Sequence, residues 1–159
     1  MYNFNALVSR IKYIPRWSLM RQSRQEYLAE HTTEVMQIAH TLAAVAKEKF
    51  GADVDEKNIV LCGLYHDISE ILTGDMPTPV KYYSDKMIEA YAQVEENASQ
   101  KLLSMLPEDM RAYYEDAFFP KDEDEYLWRL VKAADKISAL IKCIEEKNAG
   151  NREFEKAFQ

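Results

Sequence analysis

Four glycines and five prolines are all that punctuate these 159 residues, and the apolar period between them is helical almost throughout. Strand-like alternation is absent. A chain patterned in this way buries its apolar stripes by packing helix on helix, so the expected class is all-α, with residues 1–159 as a single domain. The breaks set the elements. A first helix over about 2–13 carries Phe4, Leu7, Val8 and Ile11 and stops before Pro15. A connecting segment, 15–27, holds Arg16, Trp17 and Arg21. A long helix follows near 28–49, with Gly51 as its C-terminal cap. Asp53 and Glu56 match an N-terminal signal for a helix running to about His66. A short helical piece, 68–73, ends at Gly74. Residues 75–79 read as a loop, because Pro77 and Pro79 cannot both lie inside a helix. Ser84 opens a long amphipathic helix to about 105. Another helix starts near Pro107, and Pro120 precedes a last one reaching about Lys147. The acidic run 122–125 suits the positive end of that last helix without any partner.

Composition narrows the function classes. The net charge of −7 argues against a protein that coats a nucleic-acid polymer. No run approaches the roughly 18 apolar residues of a membrane span, and residues 1–10 lack the apolar core of a signal peptide. Cys62 and Cys143 are too few for a disulfide framework and read as buried free thiols. A cytoplasmic protein is the expectation.

Only three histidines are present, and two of them fall into a chemical pattern. His66 and Asp67 emerge at the C-terminal end of the apolar run 59–65. An imidazole and a carboxylate there either turn toward one ion or cap the helix. Asp135 lies within or at the edge of the stripe Leu127, Leu130, Val131, Ala134, Ile137, Leu140, Ile141 and Ile144. A buried carboxylate without a partner costs several kcal/mol. Its neighbours Lys132 and Lys136 point elsewhere, which leaves a metal or a core arginine such as Arg16. His31 and His40 are nine residues apart on one helix, half a turn out of phase at 3.6 residues per turn, and cannot share a site. His31, at the helix start beside Glu30, is the candidate ligand. His40, among Ile38, Leu42 and Ala43, reads as a satisfied structural histidine. Two imidazoles and two carboxylates suit one divalent ion with positions left for water or substrate, the donor set of a metal-dependent hydrolase.

The order His31, His66-Asp67, Asp135 resembles the HD-domain superfamily of metal-dependent phosphohydrolases. A closer resemblance, over about residues 4–155, is to the bacterial HD-domain 5′-deoxynucleotidases of the YfbR type. The residues that carry it are 16–21 (Arg-Trp-Ser-Leu-Met-Arg), Glu30-His31, the block 66–82 from His66 to Tyr82, 133–135 (Ala-Ala-Asp) and 145–154. The block 66–82 is specific, whereas the His-Asp dipeptide alone is not. The resemblance implies an HD-domain helical bundle with a metal site between helices, a homodimer, and hydrolysis of deoxyribonucleoside 5′-monophosphates to deoxynucleoside and phosphate. It implies His31, His66, Asp67 and Asp135 as ligands of one divalent metal ion, of the cobalt, manganese or zinc kind. It also places Asp75, Met76, Pro77 and Thr78 on the substrate, and Trp17 at the position that senses the missing 2′-hydroxyl.

The chemistry of a phosphomonoester fits those residues. Its oxygens need charge neutralisation and its attacking water needs acidifying. Arg16 suits a bidentate phosphate contact. Glu70 is either an acid–base residue or an orienter of His66 or of bound water; Asp75 either positions the attacking water or takes its proton. Asp67, Asp135 and Lys81 complete the expected substrate contacts. Plain structural roles compete: core packing for Trp17, a surface ion pair for Glu70, a turn for Asp75. Two other functions compete as well, an HD phosphohydrolase acting on another nucleotide or small phosphoester, and a non-catalytic nucleotide-binding regulatory module.

Overall fold

The computed structural model describes residues 2–157. Its helices are α1 (Tyr2–Val8), α2 (Leu28–Phe50), α3 (Asn58–Tyr65), α4 (Glu70–Thr73), α5 (Thr78–Lys81), α6 (Asp85–Ser104), α7 (Glu108–Phe118) and α8 (Glu125–Asn148), with 3₁₀ turns at Ser9–Tyr13, Asp122–Asp124 and Glu153–Glu155. Among the described residues the only β pairing is an isolated bridge between Pro15 and Tyr27. The fold is an all-α helical bundle, as the apolar period predicts.

Several boundaries follow the expected signals. Gly51 ends α2 at φ 64°, the left-handed conformation that glycine adopts without steric cost. The Ser84 side chain accepts from the Met87 N–H and caps α6. Other boundaries differ. Residues 9–13 tighten into a 3₁₀ turn instead of continuing α1. Asp55, rather than Asp53 or Glu56, caps α3 by accepting from the amides of Lys57 and Asn58 at 2.9 and 3.0 Å. Glu56 pairs instead with Lys47. Pro79 lies within α5, not in a loop. Its first-turn position has no intrahelical N–H to lose, and Pro77 sits outside as the cap.

Two clusters form the core. Val35, Ala39 and Ala43 of α2, Ile59 and Cys62 of α3, and Leu127, Trp128, Val131 and Ala134 of α8 make the first. The alanines, fully buried, let α2 and α8 run close together. Gly63 does the same between α3 and α2, since a Cβ there would meet the Met36 backbone at 3.4 Å. Phe4, Ile68, Ile71, Leu102, Leu103, Leu106 and Phe118 make the second cluster, with Tyr114 packed edgewise and Tyr65 tilted against it. Cys62 and Cys143 are buried and free.

The face that α8 buries is rotated from the expected stripe. Leu127, Trp128, Val131, Ala134, Ser138, Lys142, Cys143 and Glu146 point inward. Leu140 and Ile144 are exposed. Towards its C-terminus, α8 buries a polar network instead of an apolar seam.

Candidate active site

The first turn of α2, the end of α3 and the middle of α8 meet beneath the 15–27 segment. After Tyr65 the chain winds tightly. The amides of Ile68, Glu70, Ile71 and Leu72 each bond three residues back, to Tyr65, Asp67, Ile68 and Ser69. This tightening turns His66 and Asp67 off the core face of α3 and toward α2.

Hydrogen bonds fix the tautomers of both histidines. His66 Nδ1 lies 2.8 Å from the Gly63 carbonyl, which only accepts, so Nδ1 carries the proton. His31 Nδ1 lies 2.9 Å from Ser138 Oγ, and the Ser138 hydroxyl donates at 2.5 Å to Glu34. Ser138 Oγ is therefore left to accept from Nδ1–H. In both rings the bare nitrogen is Nε2, and both Nε2 atoms are buried without a hydrogen-bond donor. His66 Nε2 lies 3.0 Å and His31 Nε2 3.7 Å from Asp67 Oδ2, and Asp135 Oδ1 lies 3.1 Å from His31 Nε2. Ligand atoms of His31, His66 and Asp67 all fall within 4.8 Å of one another.

Lone pairs aimed at carboxylates repel unless something positive sits among them, and a divalent ion meets that demand. The residues fit such an ion: imidazole and carboxylate donors with outer hydrogen bonds that set the rings. The titration directions express the same need. Burial opposes charge on His66, but the Asp67 carboxylate outweighs it and raises the imidazole. Burial pushes Asp67 up, and His66, His31 and Arg16 together bring it well below the usual range. Burial pushes Asp135 up as well, and the neighbouring His31 and His66 imidazoles bring it below the usual range.

A shell of charge surrounds this cluster. Arg16 is buried, with Nη1 3.6 Å from Asp67 and Nε 3.8 Å from Glu26, yet Nε has no hydrogen-bond partner. Arg16 thus faces Asp67 and not Asp135. Glu70 is buried and its Oε2 is unpartnered; burial first, then Asp67 and Asp75, push its carboxyl up to about 10. Burial also raises Asp75, which accepts the Trp17 backbone N–H at 3.2 Å. Met76 and Pro77 continue half-buried from Asp75, and Thr78 is exposed at the start of α5. The Lys81 ammonium is engaged, 2.8 Å from Glu95 and 5.1 Å from the Tyr91 ring centroid. His40 is exposed on the opposite side of α2, so it faces solvent and is not packed among its apolar neighbours.

Ser138 and Glu34 were not among the residues singled out from sequence. Their signal was spacing. Glu34 follows His31, and Ser138 follows Asp135, by three residues, which puts each on its neighbour's helix face.

Known proteins similar to this chain are of one kind. The 5′-deoxynucleotidase YfbR of Escherichia coli K12 is 47% identical over 156 residues, covering 96% of this chain and 76% of that protein. A 5′-deoxynucleotidase of Klebsiella pneumoniae strain 342 is 44% identical over 152 residues, with the same coverages. Among solved structures, an HD-domain phosphohydrolase from Listeria innocua superposes with a TM-score of 0.86 at 26% identity, covering 99% of this chain and 75% of that one. The cyanophage S-2L HD phosphohydrolase bound to dA and one catalytic zinc ion shares the fold, with a TM-score of 0.60 at 22% identity over 87% of this chain and 69% of that one. The profile described as 5′-deoxynucleotidase YfbR-like matches residues 3–159. With that profile spanning nearly its whole length and relatives this similar, the chain belongs to the YfbR-like 5′-deoxynucleotidase family.

Proposed function

We propose that this protein is a divalent-metal-dependent 5′-deoxynucleotidase that hydrolyses deoxyribonucleoside 5′-monophosphates to deoxynucleoside and phosphate. One observation carries the reading. Two buried, donor-less Nε2 atoms converge with the Asp67 carboxylate, and a buried guanidinium with a free Nε stands beside them. A phosphate between ion and guanidinium satisfies both. The 5′-deoxynucleotidase relatives at 44–47% identity support the substrate class.

His31, His66, Asp67 and Asp135 hold the ion, which when bound neutralises phosphate oxygens and acidifies water. Its identity lies among cobalt, manganese, zinc and similar ions, since an imidazole–carboxylate set does not separate them. Arg16 takes the phosphate. Glu70, kept protonated by burial between Asp67 and Asp75, gives its proton to the departing 5′-oxygen. Asp75 orients the attacking water while its other duty, accepting the Trp17 N–H, holds the substrate wall. Met76, Pro77 and Thr78 border the nucleoside, and Trp17 lies against the sugar face that lacks a 2′-hydroxyl. Lys81 reaches substrate only by leaving Glu95. Exposed Leu140 and Ile144, one turn apart on α8, support a homodimer that covers them. A cytoplasmic location fits the buried free thiols and the lack, among the described residues, of a helix able to cross a membrane.

Phosphate release from matched deoxy- and ribonucleoside 5′-monophosphates, after reconstitution with each metal, tests the reading. Metal-dependent release that favours the deoxy series is the expected result. A metal-loaded protein that binds these nucleotides but releases no phosphate is a regulatory module instead.

A further inference from the structure

Trp17 is the only described non-glycine residue with a positive φ, 59°, a conformation that costs a bulky side chain roughly 1–2 kcal/mol. Something must hold it there. The Asp75 carboxylate takes its backbone N–H, and Glu26 takes its indole N–H at 2.6 Å. A third support comes from the far end of the chain. The Phe154 ring, only 1% exposed, packs tilted against the indole with centroids 5.2 Å apart.

Phe154 is itself anchored. The Lys142 ammonium lies 5.9 Å from its ring centroid and 2.6 Å from Glu146. Lys142 also donates to the Arg24 carbonyl at 2.6 Å, and the Ser23 amide donates to Glu146 at 2.9 Å. Asn151 Nδ2 bridges Glu146 and the Arg21 carbonyl, and the Arg21 amide donates to Glu153. The segment bearing Arg16 and Trp17 is thus latched to the end of α8 and the 151–154 turn at four backbone groups.

We propose that Phe154 is a specificity-positioning residue: seated on the Lys142–Glu146 pair, it fixes the Trp17 indole where that ring discriminates deoxyribose from ribose. The proposal rests on the sugar-facing reading of Trp17 given above. A hydrophobic wall rejects an added hydroxyl by roughly a hundredfold at most. Such a margin depends on the wall's exact placement, which is what Phe154 supplies.

The test uses full-length protein carrying Phe154→Leu, or Asn151→Ala, which loosens the latch from its outer edge. Trp17 and Trp128 are the only tryptophans, so Trp128→Phe leaves Trp17 as the sole fluorophore. Acrylamide quenching then reports Trp17 exposure without substrate. We expect quenching of Trp17 to rise about twofold in Phe154→Leu and the dAMP/AMP ratio of kcat/KM to fall about fivefold, through a lower KM for AMP with kcat for dAMP nearly kept. Asn151→Ala shifts both in the same direction by less. In the double variant Trp17→Ala/Phe154→Leu the ratio goes no lower than in Trp17→Ala alone. A folded Phe154→Leu or Asn151→Ala protein with unchanged quenching and ratio overturns the proposal, as does a double variant whose losses add. If wild type does not discriminate dAMP from AMP, the sugar-facing reading of Trp17 has failed and the specificity role falls with it. Discrimination intact in wild type and untouched by the variants is the failure of Phe154 alone.

Discussion

The two site histidines differ in how their proton is placed, and that difference decides which neighbour matters. His66 is set by the Gly63 carbonyl, which no side-chain change removes. His31 is set by Ser138, whose hydroxyl is itself committed to Glu34. Ser138→Ala removes the acceptor that keeps the proton on Nδ1, and Nε2 then ceases to be reliably bare. Outer partners of this kind are worth about 10- to 100-fold in metal affinity. We expect Ser138→Ala, and Glu34→Gln less strongly, to weaken metal binding within that range while His40→Gln leaves it unchanged, as read by competition with a metal-sensing dye. Equal affinities in all three would remove the relay from the site. The proposed acid role of Glu70 belongs to another step. Glu70→Gln keeps its shape but carries no acid proton, so turnover should fall by about two to four orders of magnitude with metal content unaltered. Elemental analysis beside single-turnover kinetics separates the two losses. At this scale the candidate ligands are more legible in the sequence than their supports. The helical phase alone parts His31 from His40. The Ser138–Glu34 contact joins residues more than a hundred positions apart and exists only once α2 and α8 pack.

Elements bring those residues together through close approach, and Gly63 is one such point between α3 and α2. A Cβ at that position would touch the Met36 backbone at ordinary van der Waals distance, so alanine fits and anything longer drives α3 off α2. His66 rides on the end of α3 and His31 on the start of α2, and separating the helices separates these proposed ligands. Gly63→Leu is expected to cost about 1–3 kcal/mol by overpacking and to lose metal out of proportion to that cost. Urea unfolding of the apo protein measures the first, and metal titration the second. A variant destabilised in this range that still binds metal normally would place the site's tolerance elsewhere. Helix existence was legible from the apolar period because every long helix buries one face. The register of α8 was not. Leu140 and Ile144 continue the apolar spacing, yet the buried positions beside them are Ser138, Lys142 and Glu146. Hydrophobicity cannot foretell a seam whose partners are polar side chains of α2 and backbone groups of the 15–27 segment. Pro79 escapes the loop expectation for a related reason: the first turn of a short helix tolerates proline, and only the position of the cap reveals which turn that is.

For the molecule as a whole, the latch between the end of α8 and the 15–27 segment makes stability depend on one carboxylate. Glu146 is 1% exposed. Burial pushes its carboxyl up, but donors from Lys142, Asn151 and Ser23 outweigh burial and hold it at about 2, below its ordinary value of 4.5. A group depressed on folding contributes stability that is complete above its unfolded pKa and is lost as pH falls through the folded one. Titration near 2 when folded and near 4.5 when unfolded corresponds to about 3 kcal/mol. The window is therefore pH 4.5 down to 2. Gln at this position is the neutral isostere: it keeps the Asn151 contact and leaves the Lys142 ammonium without its counter-charge at every pH. Wild type should exceed Glu146→Gln in unfolding free energy by about 3 kcal/mol at pH 7, with the gap unchanged to about pH 5 and closing as pH approaches 2. Urea unfolding of metal-free protein across that range measures it. Parallel stability curves for the two proteins would mean that Glu146 titrates as an ordinary surface carboxylate. The segment that carries Arg16 and Trp17 would then be held by its other contacts, among them the Lys142 bond to the Arg24 carbonyl and the Arg21 amide bond to Glu153.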